Sequence, residues 1–303
     1  NNKTLKSELT ETAMLSYMLR VNYNYANKYL LTLTGRSDGY SAFGENNKYA
    51  FFPSVAGAWN ISQEDFMEST ADWLSMLKVR LSWGSNGNQA IKAYQTLDRL
   101  SLTTYIWGDK GTTVNGAFLP YDGVGNPNLK WETNLNFNVG IDFSLFNNRF
   151  SGSFDFFTRR SKDLLYSRPI APSLGYGSID ENVGALKNTG IEMVLNGTII
   201  NQSGWVWKLG MNLTHYKNKV TDLPLKDMPQ SGVNKLQVGR SVYDFYMIEW
   251  AGVDPENGDP LWYKNEVDAN KNPTGKRVTT NDYGSADYYY VNKSSLPKVY
   301  GGF

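Results

Sequence analysis

Residues 135–157 read "LNFNVGIDFSLFNNRFSGSFDFF". From Leu135 every second residue is apolar: Phe137, Val139, Ile141, Phe143 and Leu145. Between them stand Asn136, Asn138, Gly140, Asp142 and Ser144. After "FNNR" the alternation restarts, with Phe150, Phe154 and Phe156 set against Ser151, Ser153 and Asp155. A period of two sends alternate side chains to opposite faces of a β-strand, so the stretch predicts two strands joined by a tight turn. Which medium each face meets decides the fold.

The pattern recurs along the chain. Tyr17, Leu19, Val21, Tyr23 and Tyr25 share a face opposite Met18, Arg20, Asn22 and Asn24. Tyr29, Leu31 and Leu33 oppose Leu30, Thr32, Thr34 and Arg36, and a weaker stripe runs through Val55, Trp59 and Ile61. Leu77, Val79, Leu81 and Trp83 oppose Lys78, Arg80 and Ser82. Ile191, Met193, Leu195 and Ile199 oppose Glu192, Asn196 and Thr198, and Trp205, Trp207, Leu209, Met211 and Leu213 oppose Lys208, Asn212 and Thr214. About eight strands of roughly ten residues emerge, the length of a tilted membrane-spanning strand. Soluble strands more often run five or six. Helical periodicity is confined to "SQEDFMESTADWLSML", which predicts a short helical turn with Ser62 or Ser69 as its cap.

The links alternate in length. "YNYANKY", "SLFNNRF" and "INQSGW" are tight turns, and 61–77 is moderate. The others are long, at about 37–50, 84–130, 161–188 and 217–297. Compact soluble domains rarely carry such links, whereas outer-membrane barrels pair short periplasmic turns with long extracellular loops. The apolar stripe is almost free of charge, while the opposite face carries Arg20, Arg36, Lys78, Arg80, Asp142, Asp155 and Glu192. Aromatics gather near strand ends, as in an interfacial girdle. The expected fold is therefore all-β, an antiparallel transmembrane β-barrel whose charged face lines a watery lumen. A soluble β-sandwich also alternates and stays open on pattern alone.

Composition narrows the function. Thirty Lys and Arg balance 29 Asp and Glu across 303 residues, for a net charge of +1, which gives no footprint for nucleic acid. There is no cysteine, so disulfides, CxxC redox sites and thiolate metal sites are excluded. A single histidine, His215, removes most zinc and Ser-His-Asp chemistry, and reads as a girdle or loop residue. Phosphate-loop, nucleophile-elbow and zinc-helix motifs are missing. "DANKNPTG" (Asp268, Asn270, Asn272) only faintly resembles a calcium loop, since Pro273 stands where Gly is required, and "DPENGDP" reads first as a turn. No cofactor is expected. Tyr105, Trp107, Tyr121, Tyr176 and the run Tyr288 to Tyr290 lie in long links, where aromatic faces suit sugars or peptides. The first four are the candidate substrate contacts.

Several segments together resemble the SusC/RagA-type TonB-dependent transporters of the Bacteroidetes outer membrane. They are "YNYANKYLLTLTGRSDG" (23–39), "FFPSVAGAWNISQEDFM" (51–67), "LKVRLSWGSNGNQAI" (77–91), "GNPNLKWETNLNFNVGIDFSLFNNRFSGSFDFF" (125–157), "KDLLY" (162–166), "NVGALKNTGIEMVLNG" (182–197) and "LPKVYGGF" (296–303). The most specific are "NPNLKWE" and "NVGALKNTGIE". The resemblance implies a 22-stranded barrel closed by an N-terminal plug, capped by a SusD-like surface lipoprotein and energised by the TonB–ExbB–ExbD complex. It implies import of oligosaccharides or peptides by gated passage rather than catalysis. It also implies that the chain, residues 1–303, is a middle-to-late barrel segment, with the plug and further strands outside it. The competing readings are a soluble secreted carbohydrate-binding protein or glycosidase, for which no paired carboxylates stand out, and a passive porin.

Overall fold

The computed structural model describes residues 9–109, 111–118, 124–175, 177–226 and 228–303. It divides into two units, Asn1–Tyr216 with Tyr300–Phe303, and Lys217–Val299. The first holds a nine-stranded sheet whose strands lie in chain order. They are β1 (Met14–Tyr25), β2 (Tyr29–Tyr40), β3 (Tyr49–Asn60), β4 (Leu74–Asn88), β5 (Glu132–Leu145), β6 (Phe150–Lys162), β7 (Ala185–Gln202), β8 (Trp205–Asp222) and β9 (Tyr300–Gly302). From β1 to β7 every neighbour pairs antiparallel, an up-and-down meander.

Register converts alternation into two faces. Tyr23, Leu31, Gly57, Leu81, Val139, Phe156 and Ile191 form one cross-strand row. Tyr25, Tyr29, Trp59, Val79, Ile141, Phe154 and Met193 form the next. Most of these side chains are exposed, among them Leu81 and Ile191 at 52% and Tyr25 at 58%. A soluble sandwich would bury such a face against a second sheet. Here it is a continuous apolar surface suited to lipid.

The short links are built for reversal. Ala26 and Asn27 have φ of 52° and 56°, and Ser203 and Gly204 have 51° and 84°, the left-handed pairs that match strand twist in hairpins. In "FNNR", Phe146, Asn147 and Asn148 are all left-handed, and Arg149 donates to the carbonyls of Thr198 (3.1 Å) and Ile199 (2.9 Å). Between β3 and β4 the expected helical turn is two 3₁₀ pieces, Ile61–Gln63 and Asp65–Thr70. Neither Ser62 nor Ser69 caps them; Asn60 and Glu64 occupy those positions without side-chain caps. A link this short between antiparallel neighbours favours the tighter i→i+3 bonding.

At the long-loop end the strands outrun the sequence pattern. β2 continues through Ser37–Tyr40 and β4 through Gly84–Asn88, where both faces are polar enough to leave no alternation. The links are also structured. Residues 84–130 contain the hairpin Ser101–Trp107 with Thr112–Phe118, and 161–188 contain Leu165–Pro169 with Ser178–Asn182. β8 runs past His215 to Asp222.

The unit Lys217–Val299 consists of short strands in sheets of four and three. Gln230–Ser231, Asn234–Lys235, Asp244–Ile248 and Tyr288–Ser294 make one; Trp250–Val253, Pro260–Val267 and Pro273–Thr280 make the other. Stacked tyrosines and cations hold it, with Arg277 3.8 Å from the Tyr289 ring centroid and Arg240 4.0 Å from that of Tyr290.

Candidate functional site

Arg80 faces the polar side of β4, directly opposite Gly140 of β5, which in turn faces Asp155 of β6 and then Glu192 of β7. Its guanidinium donates to both oxygens of Asp142 (2.9 and 2.8 Å) and reaches Asp155 at 3.1 Å. Lys78 adds a fourth charge, 3.0 Å from Asp142. A Cβ at position 140 would lie 2.5 Å from Asp155 Oδ1 and 2.7 Å from Arg80 Nη2, so glycine leaves room for the arginine to cross the strand and any side chain would have to displace these two charged ends. Each such pair, part-exposed to water, contributes about 0–1 kcal/mol. The network orders the surface more than it stabilises the fold. Further along the same face, Arg20 donates to Thr34 (3.1 Å) and Arg36 pairs with buried Asp38 (2.7 Å). All seven sequence-selected charged residues thus share one face.

The long-loop end of this face carries a buried aromatic cluster that the sequence did not single out. Phe43, Phe52, Leu129 and Trp131 pack together, Leu129 at 0% exposure and Trp131 at 4%. Leu129 and Trp131 come from "NPNLKWE", whose motif character is thereby explained. Asn126 donates to the carbonyl of Asp180 (2.7 Å), Trp131 Nε1 to that of Lys48 (3.0 Å), and Glu132 accepts from Leu165 N–H (2.7 Å) and Asn88 (2.5 Å). Asn182, from "NVGALKNTGIE", accepts from Lys130 N–H (2.8 Å) and donates to the Lys130 carbonyl (2.7 Å). At Gly44 a Cβ would stand 1.8 Å from the Pro127 carbonyl oxygen, so that loop too is seated on the motif. The two most specific motifs are a latch between loops. Their signal was contact between distant segments, which periodicity does not encode.

Beside the latch lies a cleft of about 1080 Å³, with Phe43 and Gly44 in its floor and Glu11, Glu45, Lys48 and Tyr94 around it. Of the four selected aromatics, Tyr105 and Trp107 sit on the Ser101–Trp107 strand, exposed, their centroids 6.1 Å apart in an edge-to-face pair. Tyr121 and Tyr176 lie outside the described residues. Tyr288 and Tyr290 pack against Tyr246 inside the second unit.

At the short-turn end, Tyr25, Tyr29 and Trp59 stack in a row with centroids 6.4 and 6.5 Å apart. Glu64 accepts from Tyr29 OH (2.7 Å), Trp59 Nε1 (2.9 Å) and Lys28 (3.2 Å). The Tyr29 and Trp59 bonds, followed by the Lys28 charge, hold the Glu64 carboxyl below its ordinary range. Bonds from Asp65 and then Glu64 raise Lys28. In "DANKNPTG", Asp268 accepts from the N–H groups of Asn270 (2.8 Å) and Asn272 (2.9 Å), and the Asn272 bond leads in lowering its pKa. That is an Asx turn. Among the described residues no cluster of three His, Cys, Asp or Glu is placed to hold a metal.

Long strands with an uncovered apolar face and an ion-paired polar face define the wall of an outer-membrane β-barrel. The family model for "TonB dependent receptor-like, beta-barrel" proteins matches residues 4–298, and the chain belongs to this family. TonB-dependent receptor P3 of Formosa agariphila is 39% identical over 257 residues, covering 82% of this chain and 25% of that protein. TonB-dependent receptor SusC of Bacteroides thetaiotaomicron is 34% identical over 274 residues, covering 83% and 26%. A chain of the RagAB peptide transporter structure superposes with a TM-score of 0.82 at 33% identity, covering 96% of this chain and 31% of that one. The chain is thus a SusC/RagA-type barrel-wall segment of the bacterial outer membrane, spanning about a quarter of the length of these curated relatives.

Proposed function

We propose that this segment forms part of the wall of a TonB-dependent importer for oligosaccharides or peptides. The observation that carries the reading is the two-faced sheet itself: uncovered apolar rows on one side, and on the other Arg80 bridging Asp142 and Asp155. The apolar rows meet lipid. The charged face, with Arg20, Arg36, Lys78, Arg80, Asp142, Asp155 and Glu192, lines a wet lumen. Because Nε and Nη2 of Arg80 are occupied by carboxylates, this arginine offers moving solutes a hydrated, charge-paired surface. The segment guides and does not react. A plug within the complete barrel gates the route, a SusD-like lipoprotein delivers the cargo, and TonB–ExbB–ExbD supplies the work.

The test is genetic and biochemical together. The full-length protein should fractionate with outer membrane, require detergent for extraction and bring down a surface lipoprotein. Deleting its gene should abolish uptake of one glycan or peptide class, and loss of TonB should do the same. A monodisperse protein recovered without detergent would refute the wall reading; uptake indifferent to TonB would refute the importer.

A further inference from the structure

The cleft beside the latch has the size of a small-molecule site, about 1080 Å³. Its floor is already rigid. Phe43 is 2% exposed and packs 5.3 Å from Trp131 and 5.8 Å from Tyr40, and Gly44 is pinned under the Pro127 carbonyl. A ligand seated there meets a surface that needs no reordering, which favours binding.

Tyr94 stands at the edge with φ of 62°, a left-handed backbone that a bulky residue rarely adopts. Two bonds hold it, its carbonyl accepting from Leu97 N–H (3.1 Å) and its OH from Glu11 N–H (3.3 Å), and in the same turn Gln95 Oε1 accepts from Lys92 N–H (2.8 Å). The outcome is a fixed ring that lines the cleft with 46% of the residue exposed. Backbone strain that presents an aromatic face to a cavity points to recognition. Around it, the carboxylates of Glu11 and Glu45 and the ammonium of Lys48 have no side-chain partner among the described residues.

We infer that this cleft is a subsite for one or two rings of an uncharged saccharide. The Tyr94 face stacks on the C–H face of a sugar ring, and Glu11 and Glu45 accept from its hydroxyls while Lys48 donates to ring or hydroxyl oxygen. Two carboxylates against one ammonium oppose an anionic sugar. A peptide in strand form is opposed because the adjoining backbone is engaged: Ala13 N–H donates to Ser41 Oγ (2.8 Å), and Ser41 N–H to the Ala13 carbonyl (2.9 Å). The inference rests on the importer reading and selects its cargo class.

Calorimetry on the full-length protein in detergent tests it, with maltohexaose, mannohexaose and galactohexaose as uncharged probes. A galacturonate hexamer and an uncharged decapeptide are the counter-probes. At least one uncharged hexasaccharide should bind. Tyr94→Gly, which suits the left-handed backbone, should weaken it about tenfold, and Tyr94→Phe, which keeps the stacking face but loses the Glu11 bond, should weaken it less. Glu45→Gln should weaken it about tenfold and Lys276→Ala should change nothing. Unchanged affinity in Tyr94→Gly, preference for the uronate or the peptide, or no binding of any uncharged probe would each overturn the subsite. Uptake by cells, measured in parallel, separates the two claims. Persistent TonB-dependent uptake with Tyr94-independent binding removes the subsite and keeps the importer; Tyr94-dependent binding without uptake does the reverse.

Discussion

The wall strands and the unit Lys217–Val299 are both built almost wholly of β-structure, yet they are held together differently. Each wall strand from β1 to β8 runs 12 to 18 residues and exposes one apolar face, so its side chains alternate over the part that carries that face. The strands of the second unit run 2 to 8 residues and rely on particular partners. Arg277 lies against Tyr289 and pairs with Glu249 at 2.7 Å, Lys235 covers Tyr246, and Trp262 meets both Trp250 and Tyr283 edge-on. A wall is specified by a medium on each side; the second unit is specified by pairs.

That contrast can be broken at several points. The largest effect is expected at the latch, where wall and loops meet. Trp131→Ala should cost about 3–5 kcal/mol, as for a large side chain removed from a packed core. Hydrogen exchange should then rise across 126–132 and 181–189, while Trp205→Ala on the outer face leaves those segments protected. Next is the medium itself. Leu33→Arg, outward and midway along β2, should destabilise the folded barrel by about 2–4 kcal/mol in liposome refolding, whereas Thr32→Arg, one residue along and inward, should stay within about 1 kcal/mol.

In the second unit, Arg277→Met should cost about 1–2 kcal/mol through loss of the ring contact and the Glu249 pair. Limited proteolysis should then cut within 217–299 and spare the wall. The smallest effect belongs to pH. Glu64 has its folded pKa lowered, so its contribution is present above the ordinary value of 4.5 and is lost as pH falls through the lower folded value. Trp59 emission should shift on acidification below that range as the Nε1 bond to Glu64 weakens. Glu64→Gln should abolish the shift, and a shift that survives this substitution would place its cause elsewhere.

The wall was legible because an apolar medium on one side and water on the other impose one rule on the strand residues between Tyr17 and Met211. The rule stops where both faces are wet, which is why Ser37–Tyr40 and Gly84–Asn88 read as loop although they continue β2 and β4. The charged face was likewise legible as a set, but not its wiring: nothing in the local sequence joins Arg80 to an aspartate 62 positions away. Trp131 and Asn182 stand within motifs whose sequence shows no role for them, because their partners lie in other links. Tyr94 carried no signal at all, since a left-handed tyrosine is a property of the folded loop. Glu64 sat inside the segment read as a turn of helix, and its bonds come from β2, β3 and the turn before β2.

The bare position at Gly140 has a consequence for how this wall can change over time. With Arg80 present, any side chain at 140 would collide with the guanidinium and with Asp155. A short residue at 80 removes one of these two contacts and releases Asp155 from the guanidinium that holds it beside position 140. The three positions are therefore coupled: in descendants of this barrel a side chain at 140 is expected together with a changed residue at 80 or 155.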